Sequence, residues 1–333
     1  MTHPFLENRM KSLQRAALRP LIGLALTGLS LLAQAFPDRP VVLVVPFTPS
    51  SGSDIIARIL APKLSERWKQ PVVVDNKPGA SGNLGAQFVS QAAPDGHTLL
   101  MAINTITMTP AIYKNMPYDT ANDFAPVIKL TEAGYALAVH PSVTAKDMSA
   151  LVTQSKKSPG SMNYASPGNG TPHHLAMELF KSASGLDATH VPYKGIQGAL
   201  TDLVGGQVQM MFGTVHSLKP HTQSGRVRLL ATTGTSRSAQ APDVPTFKEQ
   251  GIAVMDHVDA WYAVMAPART PSDLIQRLNR DFIEVMNQDD VKAALTQQGM
   301  VVRPSTPEQL GTLIKSDLAR WKKVVTDARI AAD

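Results

Sequence analysis

Residues 41–54 read VVLVVPFTPSSGSD. Five apolar residues, Val41–Val45, run into a proline- and serine-rich turn and then into an apolar-periodic stretch that opens with a helix-start signal. That order predicts a buried strand feeding a helix N-terminus. Unpaired amides and the helix dipole make such a terminus a place for an anion. Residues 162–180, MNYASPGNGTPHHLAMELF, repeat the logic with other letters: a short strand Met162–Ala165, a Ser/Gly/Asn turn, and a helix opened by Thr171-Pro172. Two such termini in one chain predict a clamp for an anion.

The first 35 residues have the layout of a secretory signal. Arg9, Lys11, Arg15 and Arg19 form a positive n-region, Leu21–Ala33 is an apolar h-region, and Ala33-Gln34-Ala35 fits a small-x-small cleavage site. The apolar run falls short of the roughly 20 residues that span a bilayer. The reading is a cleaved signal at 1–35 and a mature chain in the periplasm starting near Phe36. Met10-Lys11 opens a signal as good as the one from Met1.

The formal charge of the 333-residue chain is +6, and without residues 1–35 it falls to +3. Beyond the signal the longest basic runs are pairs such as Lys156-Lys157 and Lys322-Lys323. Nothing resembles a stripe that tracks a phosphate backbone, so no nucleic-acid partner is expected. There is no cysteine, which excludes thiol nucleophiles, cysteine-ligated metals and disulfides. In an oxidising compartment such a chain holds itself by burial alone, and its length predicts two lobes rather than one core.

Along the chain, strands and helices alternate. After Val41–Val45 comes a helix with Ile55, Ile56, Ile59, Leu60, Leu64 and Trp68 on one face. Strands at Val72–Val74 and Thr98–Ala102 flank a helix from about Ser81 to Gln91. Two extended runs between Phe124 and His140 meet near Thr131–Gly134, and further strands are read near Met162, Thr189, Val208 and Val227. A last strand near His257–Met265 precedes two helices, announced by Thr270-Pro271-Ser272-Asp273 and Thr306-Pro307-Glu308-Gln309 as cap, N1 proline and N3 residue. Strands apolar on both faces and alternating with helices predict an α/β protein with mostly parallel sheets. The expected lobes are 36–132 plus 258–333, and 133–257, joined by a two-strand hinge.

The blocks SSGSD (50–54), DNKPGASGNLGAQFV (75–89), PDGHTLL (94–100), SPGNGTPHHLAMELF (166–180), VPYKG (191–195), LVGGQVQMMF (203–212), GRVRLLA (225–231) and PDVPTFKEQG (242–251) follow PVVLVVPF (40–47) in order. Together they resemble the Bug-type solute receptors of tripartite tricarboxylate transporters, across nearly the whole chain from Pro37. The resemblance implies a type II periplasmic binding protein fold with a small organic carboxylate held between two lobes. It implies no enzyme activity and no cofactor. The implied partners are the large and small membrane subunits of a secondary transporter, served by a monomeric receptor.

The residues support that ligand class on their own terms. Ser51 is a candidate N-cap with Asp54 at N3, and the amides of 50–53 then face the cleft. Thr171 and Pro172 take the cap and N1 places of the second helix, while Gly168 and Gly170 let backbone approach a ligand. By resemblance the first ligand loop is Phe47, Thr48, Pro49, Ser50, Ser51 and Gly52, with Asp54 beyond it. The second is Ser166, Gly168, Asn169, Gly170, Thr171 and His174. Relatives usually carry Gly-Gly where this chain has Ser50-Ser51. Neither loop contains Arg or Lys, so dipoles rather than a salt bridge would neutralise the carboxylate. Thr105, Tyr193, Lys194, Thr214, Asp259 and Trp261, at predicted strand ends or hinge positions, are candidates for the far end of the ligand.

Enzyme readings have less to stand on. His173, His174 and Glu178 lack a third metal ligand at convincing spacing, so no metal is expected. Gly79, Gly82 and Gly85 do not have dinucleotide spacing, and neither a phosphate-loop lysine element nor a Gly-x-Ser-x-Gly elbow occurs. Two alternatives stand beside the receptor: a periplasmic hydrolase or lyase using the same cleft with His174 as base, and an oxyanion receptor of an ABC transporter.

Overall fold

The run Val41–Val45 forms strand β1, with Val41, Leu43, Val44 and Val45 buried. The structure is a computed structural model that describes residues 36–256, 258–327 and 330. The signal read at 1–35 lies outside the described residues, as does His257. Residues 39–333 form one compact unit, to which everything below belongs.

Helix α1 (Gly52–Trp68) follows β1 and buries Ile56, Ala57, Leu60, Ala61, Leu64 and Trp68. Ile55 and Ile59 are half-buried at the margin of that face. Next come β2 (Val72–Asn76), a 3-10 turn at Ala80–Gly82, α2 (Asn83–Ser90), β3 (Thr98–Ile103), α3 (Thr105–Ile112) and β4 (Phe124–Val139). The middle of the chain supplies α4 (Met148–Lys157), β5 (Asn163–Ser166), α5 (Pro172–Ser184), β6 (Thr189–Pro192), α6 (Ile196–Val204), β7 (Met210–Thr214), α7 (Val215–Gln223) and β8 (Arg228–Thr232). It closes with β9 (Asp259–Pro267), α8 (Ser272–Met286), α9 (Asp289–Gln297), β10 (Val301–Val302) and α10 (Pro307–Asp327).

The strands hydrogen-bond in the order β2-β1-β3-β9-β4-β7-β5-β6, with β8 and β10 also on β4. Strand β4 is the spine. Its first part, Phe124–Gly134, pairs with β9, and from Tyr135 onward it pairs with β7 and β8. The sequence predicts two extended runs here; the structure has a single 16-residue strand, because the chain changes partners at Gly134–Tyr135 instead of turning. The sheet is also mixed rather than mostly parallel. β1 runs parallel to β2 and β3, and β5 to β6 and β7, but every pairing made by β4 or β9 is antiparallel. The reason is geometric: β4 carries the chain one way through the centre and β9 brings it back.

A separate apolar cluster packs each part of the sheet. Val44, Leu100, Ile106, Phe124, Met265, Leu310 and Ile314 belong to one, and Ala165, Leu203, Met211, Val215 and Leu218 to the other. Each buried Val, Leu, Ile, Met or Phe among them contributes about 1.5–3 kcal/mol relative to exposure. At the start of α10 the predicted cap forms as a reciprocal box: the Gln309 amide donates to Thr306 Oγ1 at 3.2 Å and the Thr306 amide to Gln309 Oε1 at 3.0 Å. At α8 the prediction fails. Thr270 donates its hydroxyl to the Pro267 carbonyl at 2.7 Å, and Pro271 occupies the cap position.

Candidate functional site

Two parallel strand pairs place the ligand loops. β1 lies between β2 and β3, and β5 between β6 and β7, so the loops after β1 and β5 leave the sheet where the chain winds away to either side. Crevices at such switch points are where open α/β sheets bind ligands. The first loop, 46–51, is held from beneath by Asp54. This carboxylate is 2% exposed and accepts from the Ser50 amide at 2.9 Å, Asn76 Nδ2 at 2.9 Å and Arg58 Nε at 2.9 Å. Burial, the largest single effect, raises its pKa; the bonds from Arg58, Ser50 and Asn76 together outweigh it and hold the group below the usual carboxylate range. Asn76 Nδ2 also donates to the Phe47 carbonyl at 3.0 Å. Asp54 is therefore committed to fastening the loop to α1 and to the end of β2.

Ser51 is the N-cap of α1, its hydroxyl accepting from the Asp54 amide at 3.4 Å and lying 3.3 Å from Ser53 Oγ. The reciprocal arm of the expected capping box reaches Ser50 instead of Ser51. Ser50 sits at φ 66°, a left-handed conformation that glycine adopts freely and other residues at a cost. Thr48, Pro49 and Ser50 are exposed. Gly52 and Ser53 are the first two residues of α1, so their amides have no carbonyl one turn back within the helix. Gly52 lies against Tyr262: a β-carbon there would stand 2.3 Å from the phenol oxygen.

The second loop is built on hydroxyls and imidazoles. Ser166, fully buried, accepts from the Gly168 amide at 3.1 Å, donates to the Gly168 carbonyl at 3.0 Å and lies 2.7 Å from His190 Nε2. When Ser166 gives its one proton to the Gly168 carbonyl it accepts from His190, which then carries its proton on Nε2. Burial first, then His174 and Lys181, push the His190 pKa down to about 3. His174 stacks on His190 with centroids 4.1 Å apart, and its Nδ1 accepts from the Gly170 amide at 3.1 Å. Thr171 holds the N-cap position of α5 with Pro172 behind it, but its hydroxyl donates to the Gly168 carbonyl at 2.7 Å and caps no amide. Gly168 and Gly170 are at φ 142° and 72°.

Two tyrosines bring the helix starts to one place. His173, in the first turn of α5, packs edge-on against Tyr135 of β4 with centroids 5.1 Å apart. Tyr135 is buried within electrostatic range of Tyr262 and Asp259, and Tyr262 touches Gly52. A second bridge passes overhead. Ser81 Oγ donates to the Asn169 carbonyl at 3.1 Å and lies 3.1 Å from the Tyr113 hydroxyl, while Gly170 faces Ile112 and Tyr113. Ala80 and Ser81 are both left-handed, at φ 48° and 55°. Tyr135, Tyr262, Ser81, His173 and His190 are residues the sequence reading did not select for binding.

The far-end candidates divide. Thr105 is 2% exposed, its hydroxyl without a partner among the described residues, in a pocket it shares with Phe47 and Ser81. Asp259 sits opposite Gly134 and accepts from Thr233 Oγ1 at 3.0 Å. Lys194 is exposed in the turn after β6. Tyr193 donates its hydroxyl to Asp202 at 2.5 Å and Thr214 caps α7, so both are committed elsewhere. Trp261 is core: Nε1 donates to the buried Asp317 at 2.8 Å. Glu178 is taken by Tyr164 and by Lys181.

A family model for the receptor of the tripartite tricarboxylate transporter family matches residues 56–330. The chain belongs to that receptor family. BugT of Bordetella pertussis (strain Tohama I) is 33% identical over 89% of this chain and 91% of its own length. Among solved structures, R. palustris Rpa4515 with adipate superposes with a TM-score of 0.82 at 32% identity, covering 90% of this chain and all of that one. MatC from Rhodopseudomonas palustris with bound malate gives 0.79 at 32% identity, over 87% of this chain and all of that one. The fold expected of this receptor, that of the periplasmic binding proteins, is the one observed. Among the described residues no helix is long and apolar enough to cross a membrane.

Proposed function

We propose that the chain is an exported periplasmic receptor that closes two lobes on a small organic carboxylate and delivers it to the membrane subunits of a tripartite tricarboxylate-type secondary transporter. Residues 1–35 are its cleaved signal, and 36–132 with 258–333, and 133–257, are its lobes. The observation that carries this reading is the convergence of two helix N-termini on Tyr135 and Tyr262, with no Arg or Lys in either loop. The ligand contacts proposed are the helix-start amides of Gly52, Ser53 and His173 with the hydroxyls of Thr48, Ser50 and Ser51; Asp54, Ser166, His174 and His190 hold the two loops in shape.

Two helix ends supply about 0.3–1 kcal/mol each and charge-assisted hydrogen bonds about 1.5–3 each, against an association cost of about 4–15. Micromolar affinity needs a net of about 8 kcal/mol, so the rest of the ligand must contribute. His174 is a poor general base in this arrangement, because its Nδ1 lone pair is engaged by the Gly170 amide. The ligands of the two R. palustris neighbours favour an organic acid over an inorganic oxyanion. A thermal-shift screen of the protein against mono-, di- and aromatic carboxylates, phosphate and sulfate tests the proposal. At 100 times its Kd a true ligand stabilises by about 2.7 kcal/mol. Protection by phosphate alone, or turnover of a bound acid, would overturn it.

A further inference from the structure

The chain leaves β3 through Asn104 and enters α3 at Thr105, beside the exit of β1. Asn104 is 2% exposed. Its Nδ2 donates to the Asp259 carbonyl at 2.9 Å. A carbonyl only accepts, so the amide orientation is settled and Oδ1 is an acceptor. That oxygen is buried and has no partner among the described residues, and neither has Thr105 Oγ1. Buried acceptors are rarely left unpaired, and each such case calls for a reason.

The position supplies one. Asp259, which Asn104 grips, lies within electrostatic range of Tyr135, the residue on which His173 of the second helix packs. Thr105 shares its pocket with Phe47 of the first ligand loop and with Ser81, which reaches across to Asn169. The two orphaned atoms thus lie among the residues that join the two helix starts. The loops offer the ligand donors: amides of α1 and α5. Asn104 offers the opposite, an acceptor. A methylene placed there would leave the oxygen desolvated and unpaired, and a carboxylate would face it with like polarity. Only a donor fits. The Thr105 hydroxyl can donate or accept and suits either a hydroxyl or an ammonium.

We propose that Asn104 Oδ1, assisted by the Thr105 hydroxyl, is the far-end subsite of the cleft, and that it selects carboxylates carrying a hydroxyl or ammonium group over plain acids of the same skeleton. This rests on the carboxylate-receptor reading.

Isothermal titration of the wild-type protein with matched acids tests it: succinate against malate and aspartate, and hexanoate against 6-hydroxyhexanoate and 6-aminohexanoate. In a set that binds, a donor-bearing member is expected to bind at least about tenfold tighter than the parent, and the hydroxyl and ammonium arms show which donor is preferred. Asn104→Leu should reduce that ratio to within about twofold. If that variant does not fold, the wild-type ratios decide alone. Parents that bind as tightly as their donor-bearing partners in every set that binds overturn the subsite, as they would if a water filled it. Failure of every acid to bind, here and in the screen, overturns the carboxylate reading and the subsite with it.

Discussion

Replacing Asp54 by Asn keeps the shape of the side chain and removes its charge. In the native loop the carboxylate accepts from three groups: the Ser50 amide, Asn76 Nδ2 and Arg58 Nε. An amide in its place turns one acceptor into a donor, so at least one of those contacts becomes donor against donor. Bonds to a charged group are worth about 1.5–3 kcal/mol each. The share of Arg58 is small, because its side chain is 54% exposed and exposed pairs give about 0–1 kcal/mol. The part-buried Ser50 and Asn76 contacts then set a loss of about 2–4 kcal/mol, or roughly 4–8 °C in Tm. Affinity should fall further than stability explains, because the left-handed Ser50 is held by that amide bond. Calorimetric melts and titrations with a carboxylate hit from the screen, on Asp54→Asn and Arg58→Ala in parallel, measure both effects. The reasoning is refuted if Asp54→Asn melts and binds like wild type, or if Arg58→Ala is equally damaging.

Other outcomes follow from the same contacts. Ser81→Ala removes the bridge to Asn169, and stopped-flow should show ligand dissociation several-fold faster with association nearly unchanged; an unaltered dissociation rate would exclude a clasp. Ser50→Gly relieves a left-handed residue worth about 1–2 kcal/mol but adds about 0.5–1 kcal/mol of chain entropy, so denaturant titration should find a gain of about 0–1.5 kcal/mol, and a loss would mean that the hydroxyl is needed. His173 and His190, depressed chiefly by burial to about 4 and about 3, are neutral when folded. The unfolded chain takes up their protons first as pH falls below about 6.5, so stability present above that pH is lost on the way to pH 4 and 3. Tm should therefore drop between pH 7 and pH 5; a flat profile there contradicts the assigned burial.

The strand-turn-helix units at 41–54 and 162–180 were legible because their apolar runs and caps are local signals. What escaped was set by side-chain direction. Position at a strand end marks Trp261 as readily as Tyr262, yet in a strand adjacent residues face opposite ways: Trp261 points to Asp317 in the core and Tyr262 to Gly52 at the loop. Thr171 carries a cap residue's identity at the cap position, but its hydroxyl prefers the Gly168 carbonyl that the left-handed turn brings within 2.7 Å. No local pattern announces Ser81, since its reach to Asn169 depends on where the second loop lies. The antiparallel pairing of β4 and β9 is not legible in the sequence, because apolar runs buried on both faces read alike in parallel and antiparallel sheets.

The central claim is that a carboxylate is gripped by the starts of α1 and α5 together. Backbone amide shifts of isotope-labelled protein, followed through titration with a carboxylate hit from the screen, test it most directly. The account predicts the largest, saturable changes at Gly52, Ser53 and His173 in one binding event, with lesser ones at Asn104 and Ser81. Changes confined to one loop, or centred on the groove between Phe124, Ile275 and Pro307, would contradict it.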